Sequence, residues 1–132
     1  MVPDDYQPPP MLKPETISWD IDISKADFQK LKVGFRPVDQ DDKWFFLATD
    51  PDKAGITTIY IIRFFSRMTF YILKVKPGDG GCYKVDSFTY SKGVAIPKTE
   101  ERAKEHAVML WRGHLECDFE TLPESDFFGD NY

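Results

Sequence analysis

The sequence predicts an α+β fold: a curved four-stranded antiparallel meander with a short N-terminal helix and a C-terminal helix packed on the sheet. Three observations predict it. Four β-branched and aromatic runs follow one another between residues 43 and 90, on connections too short for parallel crossovers. A dense set of helix signals precedes them, and an apolar stripe of helical period follows. The chain has 132 residues, 42% hydrophobic and 30% charged, which is the size and balance of one globular domain.

The first fourteen residues hold five of the ten prolines, including Pro8-Pro9-Pro10. Proline fixes φ and lacks an amide donor, so residues 1–16 are expected as a flexible, extended leader. A single domain at 17–116 and an acidic, aromatic tail at 117–132 complete the division. A helix is expected from Ser24 to Val33. Ser24 caps it, Asp27 completes a capping-box pattern, Ile23 and Phe28 fit a hydrophobic staple, and Gly34 stops it.

Strands are expected at Lys43–Thr49, Ile56–Phe65, Thr69–Lys76 and Cys82–Tyr90. Asp50–Gly55 and Pro77–Gly81 break them, while Ser66-Arg67-Met68 is a turn with neither glycine nor proline. The last helix runs from Glu100 to Arg112. Thr99 caps it, Ala103, Ala107, Leu110 and Trp111 form its apolar stripe, and Gly113 is the expected stop.

The strand beginning at Ile56 is apolar on both sides. Ile56, Tyr60, Ile62 and Phe64 point one way; Ile59, Ile61 and Phe65 point the other. A half-solvated sheet alternates apolar with polar, so both faces here must be covered. Helices cover one. The other needs the N-terminal arm, strong curvature or a second copy of the chain.

Charge is unevenly spread around a net −5. Residues 1–42 carry nine acids against five bases, residues 43–114 twelve bases against seven acids, and residues 115–132 six acids and no base. A mildly basic body therefore lies between acidic arms, and the balance argues against broad nucleic-acid binding. No run approaches the roughly 20 apolar residues of a bilayer crossing, and the N-terminus lacks the pattern of a secretory signal. Two cysteines, Cys82 and Cys117, are too few for a disulfide framework, so an intracellular, cytoplasmic location is expected.

Catalytic groups are scarce. His106 and His114 lie eight positions apart, too far along one helix to share a metal, and His114-x-x-Cys117 lacks further ligands. A Cys–His nucleophile requires contact in space between residues the sequence does not bring together. Gly78-Asp79-Gly80-Gly81 joins two strands without the lysine of a phosphate loop, and is expected as a hairpin turn. Arg63 is the exception. It sits late in the most apolar strand, where a guanidinium must find a carboxylate, reach solvent or bind something. Asp86 and Glu105 are the candidate carboxylates. Arg63, Arg67, Lys74, Lys76 and Lys84 are expected to form a modest basic patch among aromatics.

Asp42-Lys43-Trp44-Phe45, the strand Ile59–Ser66, and Phe70-Tyr71 before Lys74-Val75 together resemble a family of small uncharacterised domains. Their pattern is D-K-W-F, an aromatic strand, then R-S-W-T-G and a further aromatic strand. The similarity covers residues 36–116, and such domains sometimes occur beside macrodomains, which read ADP-ribose. Phe64, Phe65, Ser66 and Arg67 stand where the pattern has serine, tryptophan, threonine and glycine. The resemblance implies a fold and assigns no activity.

The function expected is a non-catalytic binding or assembly domain acting through its apolar sheet and acidic arms, by homodimerisation or with a protein partner. The alternative is a small-molecule or nucleotide-binding module in which Arg63 meets an anionic group and Trp44, Tyr71 or Trp111 supplies a stacking wall. An enzyme with a Cys–His or carboxylate site is the remaining class. No catalytic residue, metal ligand or cofactor is assigned, and neither membrane nor nucleic acid is an expected partner.

Overall fold

The computed structural model describes residues 2–35, 43–92, 99–119 and 122. In chain order these form β1 (Pro14–Ile17), β2 (Asp22–Ile23), α1 (Lys25–Val33), β3 (Trp44–Ala48), β4 (Thr57–Arg63), β5 (Met68–Pro77), β6 (Tyr83–Ser91) and α2 (Glu100–Leu115). The class is α+β as expected, and β3 to β6 form the antiparallel meander. The sheet has six strands, not four: β1 and β2 lie one after the other along the outer edge of β6. Both are too short to carry a period-two pattern. β1 also begins at a proline, which an edge strand tolerates because one side of it has no ladder to complete.

The seam between β1 and β6 is polar. Thr16 and Thr89 hydroxyls meet at 2.8 Å, and the Tyr90 hydroxyl donates to Glu15 at 3.0 Å. Lys92 pairs with Glu15 at 3.2 Å, and hydrogen bonding to Lys92 and Tyr90 holds the Glu15 carboxyl below its ordinary value. This contribution is present above the ordinary carboxylate range and is lost as pH falls through the lowered value.

Two bulges bend the sheet. Ile61 pairs with Tyr71 but Ile62 with Thr69, leaving Phe70 as an extra residue on β5. Lys74 pairs with Ser87 but Val75 with Val85, leaving Asp86 extra on β6. Each bulge bends its strand and increases the local twist.

One sheet face carries Trp44, Phe46, Ile59, Ile61, Tyr71 and Leu73 against both helices. Phe28 and Leu31 come from α1; Ala103, Ala107, Leu110 and Trp111 come from α2. Fully burying each large apolar side chain contributes about 1.5–3 kcal/mol. The opposite face presents Leu47, Tyr60 and Ile62, and the cover is the chain's own N-terminal arm. Val2 pairs in parallel with the end of β3, donating to Ala48 at 3.0 Å and accepting from Asp50 at 2.7 Å. The Tyr6 ring meets Tyr60 edge-on at 5.7 Å, and burial pushes the Tyr60 hydroxyl above its ordinary pKa. The proline-rich segment then hands its Pro9 and Pro10 carbonyls to the side chain and backbone N–H of Thr69, at 2.7 and 3.0 Å.

Ser24 caps α1 by accepting the Asp27 N–H at 3.1 Å. Only half of the capping box forms, because the Asp27 carboxylate turns inward and accepts from Asp118 and Phe119 beyond α2. α2 runs past the expected stop at Gly113 to Leu115, with Glu116 as its left-handed cap. The reason is packing: Leu115 is buried and the His114 ring lies on Phe46 at 5.1 Å, which outweighs the roughly 1 kcal/mol that a helical glycine costs. No helix among the described residues is long and apolar enough to cross a membrane.

Two glycines in this frame differ in kind. Gly34 has φ 71°, and a Cβ there would press into the Phe46 carbonyl oxygen, against which Phe35 and Phe46 exchange backbone hydrogen bonds at 2.8 and 2.9 Å. Gly113 is helical with open space around it. Gly34→Ala is expected to lose at least about 2 kcal/mol from strain and collision. Gly113→Ala is expected to gain about 0.5–1 kcal/mol. Urea midpoints at unchanged m-value check both.

Candidate functional site: the Arg63 end of the sheet

The turn between β4 and β5 is Phe64–Arg67, so Phe64 and Phe65 leave the strand in which the sequence pattern placed them. Arg67 adopts φ 53°, a left-handed conformation, at the position where the resembled pattern has glycine. The turn therefore keeps a glycine-like backbone with a cationic side chain on it. Phe65 is 63% exposed at this tip, with its ring edge-on to Phe64 at 5.1 Å.

Behind the tip, antiparallel pairing sets Arg63 directly opposite Trp44, and the guanidinium lies over the indole at 5.0 Å. Cation–π contact of this kind is worth about 0.5–2 kcal/mol and fixes the direction of the cation. Trp44 meets His106 of α2 edge-on at 5.5 Å, and His106 in turn meets Tyr71 at 5.5 Å. With the imidazole neutral, the Tyr71 hydroxyl donates to His106 Nδ1 at 2.5 Å. Tyr71 and His106 are fully buried and Trp44 nearly so, while Arg63 is half-buried. The result is a cation held on a buried run of edge-on aromatic rings that ties β3, β4, β5 and α2 together.

Three of the four residues singled out from sequence, Arg63, Trp44 and Tyr71, converge here. Trp111 does not join them: it stacks on Phe119 at 5.5 Å, on the other flank of α2. His106 is the member that the sequence did not single out, weighed there as a metal ligand with His114. A signal existed, since His106, Leu110 and His114 share a four-residue spacing along one side of α2. Asp86, one of the carboxylates considered for Arg63, pairs with Lys76 at 3.6 Å instead. Glu105 bonds Arg102 at 3.1 Å.

The five-residue basic patch is also corrected. Lys76 pairs with Asp86, and Lys84 pairs with Asp20 at 3.6 Å. Both sit at the far end of the sheet, eight residues along β5 from the tip, or about 26 Å at strand rise. Only Arg63 and Arg67 of the five mark the hairpin.

Two cavities formed by described residues lie at that far end. One of about 370 Å³ is lined by Asp22, Gly78, Cys82 and Lys84, and one of about 230 Å³ by Phe28, Lys32, Pro51 and Thr57. Tyr83 and Pro77 line both; Arg63 lines neither. The glycine-rich loop beside them is the expected hairpin turn, with the Gly78 N–H donating to the Cys82 carbonyl at 2.9 Å.

Among the described residues, no group of three or more His, Cys, Asp or Glu side chains could hold a metal ion. Nor does a Cys–His hydrogen bond join the described residues: His114 Nδ1 faces the Leu110 carbonyl, and Cys117 faces that of Asp27. Burial, reinforced by Asp27, pushes the Cys117 thiol up to about 12. No protein-family model matches the chain, and neither does any curated protein or solved structure.

Two outcomes are expected. At pH 8 a thiol reagent should titrate one equivalent rapidly in the native protein, at exposed Cys82, and a second only after denaturation. Arg67→Gly should raise stability. It relieves about 1–2 kcal/mol of left-handed strain and concedes about 0.4–1 kcal/mol of unfolded-chain entropy, for a net gain near 0.5 kcal/mol in a urea titration.

Proposed function

We propose that this chain is a non-catalytic binding and assembly domain whose contact surface is the β4–β5 hairpin end of the sheet. The carrying observation is the tip itself: exposed Phe65 next to Arg67, an arginine set in the left-handed region where glycine would rest without strain. Strain kept at an exposed turn is accounted for by what the side chain does there. An aromatic anchor flanked by guanidinium groups fits a partner surface that offers an apolar slot rimmed by carboxylates. Arg63, held on Trp44, supplies a second cation of fixed direction behind the tip. The face of the sheet away from the helices is occupied by Val2 and Tyr6, which moves the contact from the apolar sheet to the hairpin.

A second reading is favoured by the Arg63–Trp44 pair alone: an oriented cation on an indole suits the phosphates and ring of a nucleotide-like anion. The domains resembled in sequence occur beside ADP-ribose readers, so ADP-ribose is the first such ligand to try.

The two readings separate by mutation. A labelled glutamate-rich peptide carrying one phenylalanine should bind by fluorescence anisotropy and weaken as salt rises. Phe65→Ser and Arg67→Glu should each cost at least tenfold, about 1.4 kcal/mol. Arg67→Gly should bind more weakly although it is the more stable protein. Equal binding by all of these variants removes the hairpin as the contact. A thermal shift with ADP-ribose that survives Phe65→Ser and disappears in Arg63→Ala establishes the second reading in its place.

A further inference from the structure

Beyond α2 the chain is held by an unusual set of contacts between the two helices. Asp27 of α1 is buried, and its two carboxylate oxygens accept the backbone N–H groups of Asp118 and Phe119 at 2.8 and 2.7 Å. Lys30 donates to the Glu116 carbonyl at 2.8 Å. Arg112 of α2 donates to the carbonyls of Asp118, Phe119 and Leu122 at 3.1, 2.9 and 3.1 Å. Every one of these bonds reads main chain. Among the described residues, side chains of the segment are met at two points: the Phe119 ring stacks on Trp111, and the Cys117 thiol points to the Asp27 carbonyl at 3.8 Å. A carboxylate, an ammonium and a guanidinium reading backbone amides and carbonyls, with one aromatic slot, have the chemistry of a peptide site.

The segment seated there is Glu116-Cys117-Asp118-Phe119, and the chain repeats it eight residues later as Glu124-Ser125-Asp126-Phe127. Serine has the shape of cysteine and is the stronger donor to the Asp27 carbonyl. The repeat lies outside the described residues. The first copy is seated under strain: Glu116 and Phe119, neither of them glycine, have φ 59° and 44° because the chain must reverse direction straight after the helix. A segment arriving from another molecule is free of that requirement.

We propose that the clamp of Asp27, Lys30, Arg112 and Trp111 is a docking site for Glu-(Cys/Ser)-Asp-Phe segments, and that its partner is Glu124–Phe127 of a second copy of this chain. The clamp holds the chain's own first motif, so a second copy's motif enters only where that internal occupant gives way to it. Reciprocal exchange gives a closed, two-fold dimer. The proposal is independent of the hairpin reading, because it uses neither Phe65 nor Arg67.

The test uses the full chain and a labelled peptide of residues 121–132. Phe119→Ala or the milder Phe119→Leu loosens the internal occupant, and either variant, shown folded by circular dichroism, should bind the peptide at least tenfold more tightly than the unaltered chain. Adding Asp27→Asn, or using a peptide with Phe127→Ala, should abolish binding, whereas Phe65→Ser should leave it unchanged. Light scattering should show a concentration-dependent dimer for Phe119→Leu and a monomer for Phe119→Leu with Phe127→Ala. Absence of peptide binding to a folded Phe119 variant overturns the site. Peptide binding with a strictly monomeric Phe119→Leu chain overturns the second copy as partner.

Discussion

The architecture depends on one constraint: β4 is apolar on both sides from Ile59 to Ile62, so that stretch of the sheet cannot have a wet face. Helices satisfy this on one side in the ordinary way, by laying small alanines and large rings on the strands. The other side is covered by an arm whose composition suits it. Val2 and Tyr6 lie on the apolar side chains, and Pro8-Pro9-Pro10, which has no amide donors to satisfy, carries the arm on toward Thr69. Prolines are also already restricted in φ before folding, so ordering them costs less entropy than ordering other residues. The carbonyls that remain find Thr69. Leu47, Tyr60 and Ile62 are buried with Val2 and Tyr6 packed against them, and full burial of an aliphatic side chain contributes about 1.5–3 kcal/mol.

The edges are closed by the same economy of means. On one side β1 and β2 pair with β6; on the other Phe35 bridges the middle of β3 at Phe46 and Val2 bridges Thr49 just past its end. An open edge is a template for pairing with another chain, and this sheet blocks much of both.

α1 and the four long strands were legible because their signals are local: a cap, a staple, a stop, β-branched runs and turn residues within a few positions of one another. β1 and β2 were not, since four and two residues hold no periodicity and become strands only when β6 offers them a ladder. Gly113 reads locally as a stop, yet Leu115 and His114 find partners outside the helix. Asp27 reads as half of a capping box, and its carboxylate is drawn away by two amides some ninety residues later. In the site, Arg63 and Trp44 were both visible as unusual residues, and a short hairpin connection implies their neighbourhood. The Tyr71–His106 bond was not legible. It needs the bulge at Phe70 and the passage of α2 across the sheet, neither of which leaves a mark in the local sequence.

Backbone strain links the two proposed contacts. The non-glycine residues with positive φ among those described are Lys13, Arg67, Glu116 and Phe119. Lys13 is placed where the arm turns into β1, tied by its carbonyl to Lys92 at 3.0 Å, and so is explained by the cover it delivers. Arg67 sits at the hairpin tip, and Glu116 and Phe119 sit in the clamp. Each such residue costs on the order of 1 kcal/mol that glycine would avoid. At Phe119 the ring on Trp111 offsets the cost, and a glycine there would empty the slot. At Arg67 no equivalent burial exists, because the side chain is exposed. The strain at Arg67 has no such return within the chain and stands beside an exposed phenylalanine, the two features on which the proposed hairpin contact rests.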